Sequence, residues 1–180
     1  WVVETKQSNY HCQKNMTILF LCRLYCPHIG GVEKHAREIS LRLQSKHKIK
    51  VIIEKFDEKL PDFEIIDDVE VYRIKSGNKW QTWLEIWRLK QLLDWADIIH
   101  AHDVYYWIMP YKLSNWQKKT YITFHGWEGK HPVPFKNILV RKISELMANG
   151  NICVGDYIPK YYFTKPDVTT YGATQPLSIL

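Results

Sequence analysis

An almost unbroken apolar run at residues 16–22, MTILFLC, passes through the loop RLYCPHIGG into the segment VEKHAREISLRLQS. A run of strand length without polar alternation belongs to a strand covered on both faces. Apolar residues at Val32, Ala36, Ile39, Leu41 and Leu43 fit a helix over residues 32–45 with one buried side. The chain is therefore expected to build on a strand–loop–helix unit whose loop ends in Gly30–Gly31. Glycines let backbone N–H groups approach a ligand, and a helix N-terminus favours negative charge, so this turn is a candidate anion site. The glycine pair alone also admits a plainer reading, a βα turn that needs positive φ. Neither a G-x-G-x-x-G fingerprint nor a G-x-x-x-x-G-K-[ST] phosphate loop is present.

The same alternation continues. Residues 49–54, 69–74, 97–101, 119–124, 152–154 and 168–171 read as strands. Residues 79–95, 104–115, 135–148 and 156–163 read as helices, the second interrupted by Pro110. Residues 55–68, acidic and containing Pro61, read as a connection. Apolar strands alternating with helices predict an α/β fold, a Rossmann-like open parallel sheet with helices on both faces. Ligands of such folds bind at the carboxyl ends of the strands. Gly30 and Gly31, His102 and Asp103, His125 and Gly126, and Asp156 all fall there. Residues 16–173 form the expected domain, preceded by a poorly ordered leader at 1–15 and followed by the start of an interdomain hinge at 174–180.

The chain is 46% hydrophobic and 14% aromatic, which excludes a disordered protein. Its net charge of +6 suits anionic partners, among them acidic lipid and phosphorylated substrates. No apolar run reaches the roughly 18 residues of a membrane span. Trp80, Trp83, Leu84, Trp87, Leu92 and Leu93 follow helical spacing. They are expected in the core, with a membrane-surface face as the alternative. Cys22 and Cys153 are expected as buried free thiols, and no cysteine–histidine spacing fits zinc.

His125 can donate to a sugar hydroxyl or a phosphate, or move a proton; it can equally bond the backbone. His100, inside a strand, reads as structural. His102 and Asp103 could form a hydrogen-bonded dyad, although Asp103 is expected to N-cap the following helix. Glu33 favours the helix dipole in the first turn, and Lys34 and His35 are expected to be exposed. No G-x-S-x-G nucleophile elbow is present. Glu54 could read a ribose, which keeps a dehydrogenase-type domain open.

LFLCRLYCPHIGGVEKHAREISLRL resembles the opening of the retaining family-4 glycosyltransferases. ADIIHAHD is similar to that family's D-[IV]-[IV]-H-x-H strand, and TYITFHGWE to its T-x-H-[GD] strand. NGNICVGDYI is similar to a segment that usually ends in serine, with Gly155 in its place. The resemblance covers about residues 16–173. It implies one half of a GT-B fold, the N-terminal acceptor-side domain. It further implies that Gly30 and Gly31 offer amides to the donor's distal phosphate and that His125 is the catalytic residue, beside the donor sugar. His102, Asp103, Glu128 and Lys130 would line the acceptor side. Such enzymes retain anomeric configuration without a covalent nucleophile, and no metal or cofactor is expected. The implied partners are a nucleotide-sugar donor, a glycan, lipid-linked or small-molecule acceptor, and a C-terminal donor domain in cis or trans. Without that domain the chain is not expected to turn over. Polysaccharide biosynthesis and a cytoplasmic location, with peripheral contact to an acidic membrane surface, complete the expectation; nucleic acid is not a partner. A non-catalytic nucleotide- or partner-binding module, including the acceptor subunit of a split transferase, is the alternative.

Overall fold

A computed structural model describes residues 15–75, 77–126 and 132–171. The expected leader and hinge lie outside the described residues, apart from Asn15. Eight strands form one sheet in the order β3-β4-β2-β1-β5-β6-β7-β8. They are β1 (Thr17–Cys22), β2 (Lys48–Glu54), β3 (Phe63–Ile66), β4 (Val69–Ile74), β5 (Ile98–His102), β6 (Lys119–Phe124), β7 (Gly150–Val154) and β8 (Val168–Thr170). Every pairing is parallel except β3 with β4.

The apolar strands are apolar because each has two faces to bury. In β1, Leu19 and Leu21 join one core, and Ile18, Phe20 and Cys22 join the other. Helix α1 (Gly31–Leu43) covers the second core through Ala36 and Ile39. The first core lies under α2 (Lys79–Arg88), α3 (Lys90–Trp95), a 3-10 turn at Tyr105–Ile108, α4 (Met109–Ser114), α5 (Phe135–Met147) and α6 (Tyr157–Tyr162).

Three features differ from expectation. Residues 55–68 contain the edge strand β3, which alternating exposure and a proline-bearing approach hide in the sequence. Buried Arg73 fixes it by bonding the Pro61 carbonyl at 2.9 Å and the Glu64 carboxylate. The helix expected over 79–95 breaks at Leu89 (φ −93°, ψ 19°). Its two halves follow different neighbours: Trp83 Nε1 donates to the Tyr106 carbonyl at 2.7 Å, whereas α3 packs on β1. The aromatic row is likewise divided. Leu93 is buried and Trp83 partly so, but Trp80, Leu84 and Trp87 face solvent.

Gly155, which stands in serine's place, has φ +90°. A side chain is strained in that region, and a methyl group there would lie 3.2 Å from the Tyr157 ring. Gly155→Ser is expected to destabilise the domain by roughly 1–2 kcal/mol, read as a lower midpoint in urea unfolding; an unchanged midpoint would remove the backbone explanation.

Candidate active site

The carboxyl ends of β1, β5, β6 and β7 converge on one rim of the sheet. Gly30 is the N-cap of α1 and Gly31 its first residue. Gly30 has φ −167°, extended backbone open to any residue, and positive φ among the described glycines occurs at Gly155. The plainer reading of the pair, a turn that needs positive φ, is therefore corrected: these glycines provide space. A methyl group on Gly31 would have no heavy atom within 4 Å, whereas one on Gly30 would run into the Glu33 carboxylate. The Glu33 carboxylate occupies the first turn of the helix and is drawn toward His28 Nδ1 at 3.2 Å. The first N–H groups of a helix lack intrahelical acceptors, so the Gly31 end remains suited to an anion.

His102 closes β5 and His125 follows β6. The two strands run in register, with His102 beside Thr123, so the two imidazoles stack at 5.1 Å between centroids. His102 Nδ1 and His125 Nε2 share a hydrogen bond of 2.8 Å. His102 is fully buried, and its Nε2 has no hydrogen-bond partner. A stranded buried N–H is rarer than a stranded lone pair. That favours the tautomer in which His102 Nδ1–H donates to His125 Nε2. Neutral His125 then carries its proton on Nδ1, as a donor available to a ligand.

Two further histidines complete the cluster. His100 Nε2 bonds the Thr123 hydroxyl at 2.8 Å, in keeping with a structural role. His35, expected on the exposed side of α1, is half-buried instead, with its ring 4.8 Å from that of His125 and 6.2 Å from that of His102. Its place one turn after Gly31 was the available signal, because positions i and i+4 share a helix face. Burial is the main cause that lowers all four imidazoles: His100 to about 4, His125 to about 3, His102 well below its ordinary value, and His35 in the same direction. Neighbouring histidines add to the effect at His100, His102 and His125. The cluster is neutral at pH 7. Among the described residues no group of three or more His, Cys, Asp or Glu is arranged to hold a metal ion.

Asp103 neither pairs with His102 nor caps a helix. It adopts φ +62°, and its Oδ1 accepts the His125 N–H at 3.0 Å. From the other side the Tyr157 hydroxyl donates to the His125 carbonyl at 2.8 Å. The backbone of His125 is thus held at both ends, and sequence reasoning missed Tyr157. Glu128 and Lys130 lie outside the described residues. Glu54 is engaged by Arg23 at 3.3 Å, and Cys22 and Cys153 are buried free thiols.

The family model for Glycosyltransferase Family 4 matches residues 29–162. Sequence comparison with curated proteins gives no match. Among solved structures, sucrose-phosphate synthase from Thermosynechococcus elongatus aligns with a TM-score of 0.62 at 12% identity. That alignment covers 87% of this chain and 47% of that one. HepE of Anabaena, solved in complex with UDP and glucose, aligns with a TM-score of 0.62 at 15% identity over 89% of this chain and 45% of that one. The catalytic domain of starch synthase IV from Arabidopsis thaliana, bound to ADP and acarbose, aligns with a TM-score of 0.54 at 13% identity, over 79% and 45%. The chain thus spans less than half the length of these three structures, all with the fold of GT-B glycosyltransferases. With its rim of strand ends and with the family match across residues 29–162, the chain belongs to glycosyltransferase family 4.

Proposed function

We propose that this glycosyltransferase domain forms the acceptor side of a retaining transferase that moves a sugar from a nucleotide-sugar donor to a hydroxyl of a glycan, lipid-linked or small-molecule acceptor. One observation carries the reading. Helix α1 carries His35 one turn after Gly31, and the His35 ring lies 4.8 Å from that of His125. That spacing suits a donor whose distal phosphate lies on the α1 amides and whose sugar lies against His125. In this reading His125 donates from Nδ1 to the donor sugar, and His102 positions it by fixing the tautomer. Asp103 and Tyr157 hold its backbone. Catalysis is then positioning plus stabilisation of the departing diphosphate at the helix terminus. The departing phosphate accepts the acceptor's proton, so no side-chain nucleophile is required. No resident metal or cofactor enters the proposal. Most donor contacts belong to a second domain, in cis or trans, and the chain alone is expected to be inactive.

Two exposed apolar rows support contact with an acidic membrane surface. Trp80, Leu84 and Trp87 form one on α2, and Phe135, Leu139, Ile143 and Leu146 form the other on α5. The same helices carry Lys79, Arg88, Lys136 and Lys142 outside the core against Glu85 and Glu145. Aromatic rows with surplus cations suit anionic headgroups. Among the described residues no helix is long and apolar enough to cross a membrane.

The test is a transfer assay with the active transferase, offering UDP- and ADP-sugars and reading product anomers by NMR, with and without anionic vesicles. Transfer with retained configuration, enhanced by anionic over neutral vesicles, is expected. Inverted product would overturn the retaining reading, and equal transfer with anionic and neutral vesicles would remove the membrane contact.

A further inference from the structure

Three of the four clustered histidines have partners. His102 and His125 bond one another, and His100 bonds the Thr123 hydroxyl. The His35 ring is half-buried and makes no hydrogen bond among the described residues. Burial holds its imidazole below the ordinary value, so at pH 7 the ring is neutral, with one N–H donor and one bare nitrogen. Polar atoms withdrawn from water without a partner cost free energy, which a ligand at this ring would recover.

The position of the ring identifies that ligand. His35 stands four residues after Gly31, so the two share a face of α1. Helical side chains lean toward the N-terminus, which directs the ring back toward the Gly31 end. On its other side it meets the His125 ring edge-on, 4.8 Å between centroids at 75°, and stands 6.2 Å from the His102 ring. Glu33 does not compete for it. Residues two apart on a helix do not face each other, and the Glu33 carboxylate is drawn to His28 Nδ1 at 3.2 Å. His35 therefore lies between the helix amides assigned to the distal phosphate and the imidazole assigned to the sugar.

Resting on that donor placement, we propose that His35 is a second donor-contacting imidazole, whose N–H bonds the phosphate oxygen that bridges to the sugar. In transfer the bond between this oxygen and the anomeric carbon breaks, and its electron pair goes to the oxygen. The acceptor oxygen bonds the carbon, and the acceptor's proton passes to the departing phosphate. His35 keeps its own proton and stabilises the charge that gathers on the oxygen beside it. A neutral donor suits this place, because it leaves the phosphate basic enough to take the acceptor's proton.

The test compares His35→Phe, which keeps a ring and deletes the donor, with His35→Gln, which deletes the ring and keeps an N–H. Both are made in the complete transferase, with kinetics read beside calorimetric binding of UDP and ADP against UMP and AMP. His35→Phe is expected to lower kcat about 10²-fold. It should weaken diphosphate binding about tenfold and leave the monophosphates, which lack the distal phosphate, bound as before. His35→Gln is expected to recover most of both, and both variants should keep the far-UV spectrum. A ring that only packs on His125 predicts the reverse order. A tolerated phenylalanine, or a glutamine variant as impaired as the phenylalanine one, would thus overturn the proposal. Equal weakening of diphosphates and monophosphates would also overturn it, because the contact would then lie elsewhere on the nucleotide. Sugar transfer with retained configuration and an unimpaired His35→Phe variant would remove this contact and leave the glycosyltransferase reading standing. Diphosphate-selective loss in His35→Phe, with no sugar transfer by the wild type, would leave the phosphate contact standing and remove that reading.

Discussion

Replacing His125 with alanine is expected to lower kcat of the active transferase by about 10²–10³-fold, the loss that follows removal of one preorganised donor from a developing charge. KM for the acceptor should change much less. The expectation rests on the ring's confinement. Nε2 is engaged by His102 at 2.8 Å, the backbone N–H by Asp103 at 3.0 Å and the carbonyl by Tyr157 at 2.8 Å. Nδ1 is the ring nitrogen left to meet a substrate, and burial keeps the imidazole neutral by lowering it to about 3. Because Asp103 and Tyr157 bond the backbone rather than the ring, the alanine variant keeps both anchors and should fold. His102→Phe should reproduce part of the loss by releasing the His125 ring from its tautomer, and the kcat–pH profile should move with it. A fall of less than about threefold on His125→Ala would place the chemistry elsewhere.

The same cluster makes the domain acid-sensitive. An unfolded histidine titrates near 6.5, whereas burial holds His100 at about 4, His125 at about 3 and His102 lower still. Between these values the unfolded chain binds more protons than the folded one, so stability rises with pH. The histidines' contribution is therefore fully present above pH 6.5 and is lost as pH falls toward the folded values. From pH 7 to pH 5, each such histidine costs about 2 kcal/mol, and three together cost about 5–6 kcal/mol. That is a large part of a typical net stability of about 5–15 kcal/mol. Most carboxylates stay ionised above pH 5, so this window isolates the imidazoles. Urea unfolding at pH 7, 6 and 5 should show the decline, and His100→Gln should flatten it by about one histidine's share. A pH-independent midpoint over this window would contradict the buried, neutral cluster.

Much of this architecture was legible because apolar strands need cover on both faces. Residues 69–74 and 119–124 coincide with β4 and β6. The edge strand β3 escaped because pairing on one side asks little of its sequence: Phe63 and Ile65 stay exposed. The candidate site was legible in position and not in wiring. Gly31, His102, Asp103 and His125 reach one rim because parallel strands end there together. The 2.8 Å contact between His102 and His125 depends on β5–β6 register, which no local pattern encodes. His35 was assigned to solvent because helix periodicity gives the direction of a side chain but not what stands beside it. Tyr157 reaches the His125 carbonyl from α6, 32 residues along the chain.

The most direct measurement is a crystal structure of the active transferase with an unhydrolysed nucleotide sugar. His125 Nδ1 is expected within about 3 Å of a hydroxyl of the donor sugar, with the distal phosphate on the Gly31 end of α1. A donor sugar held away from His125, with the phosphate off that helix terminus, would contradict the assignment of this rim as the reaction centre.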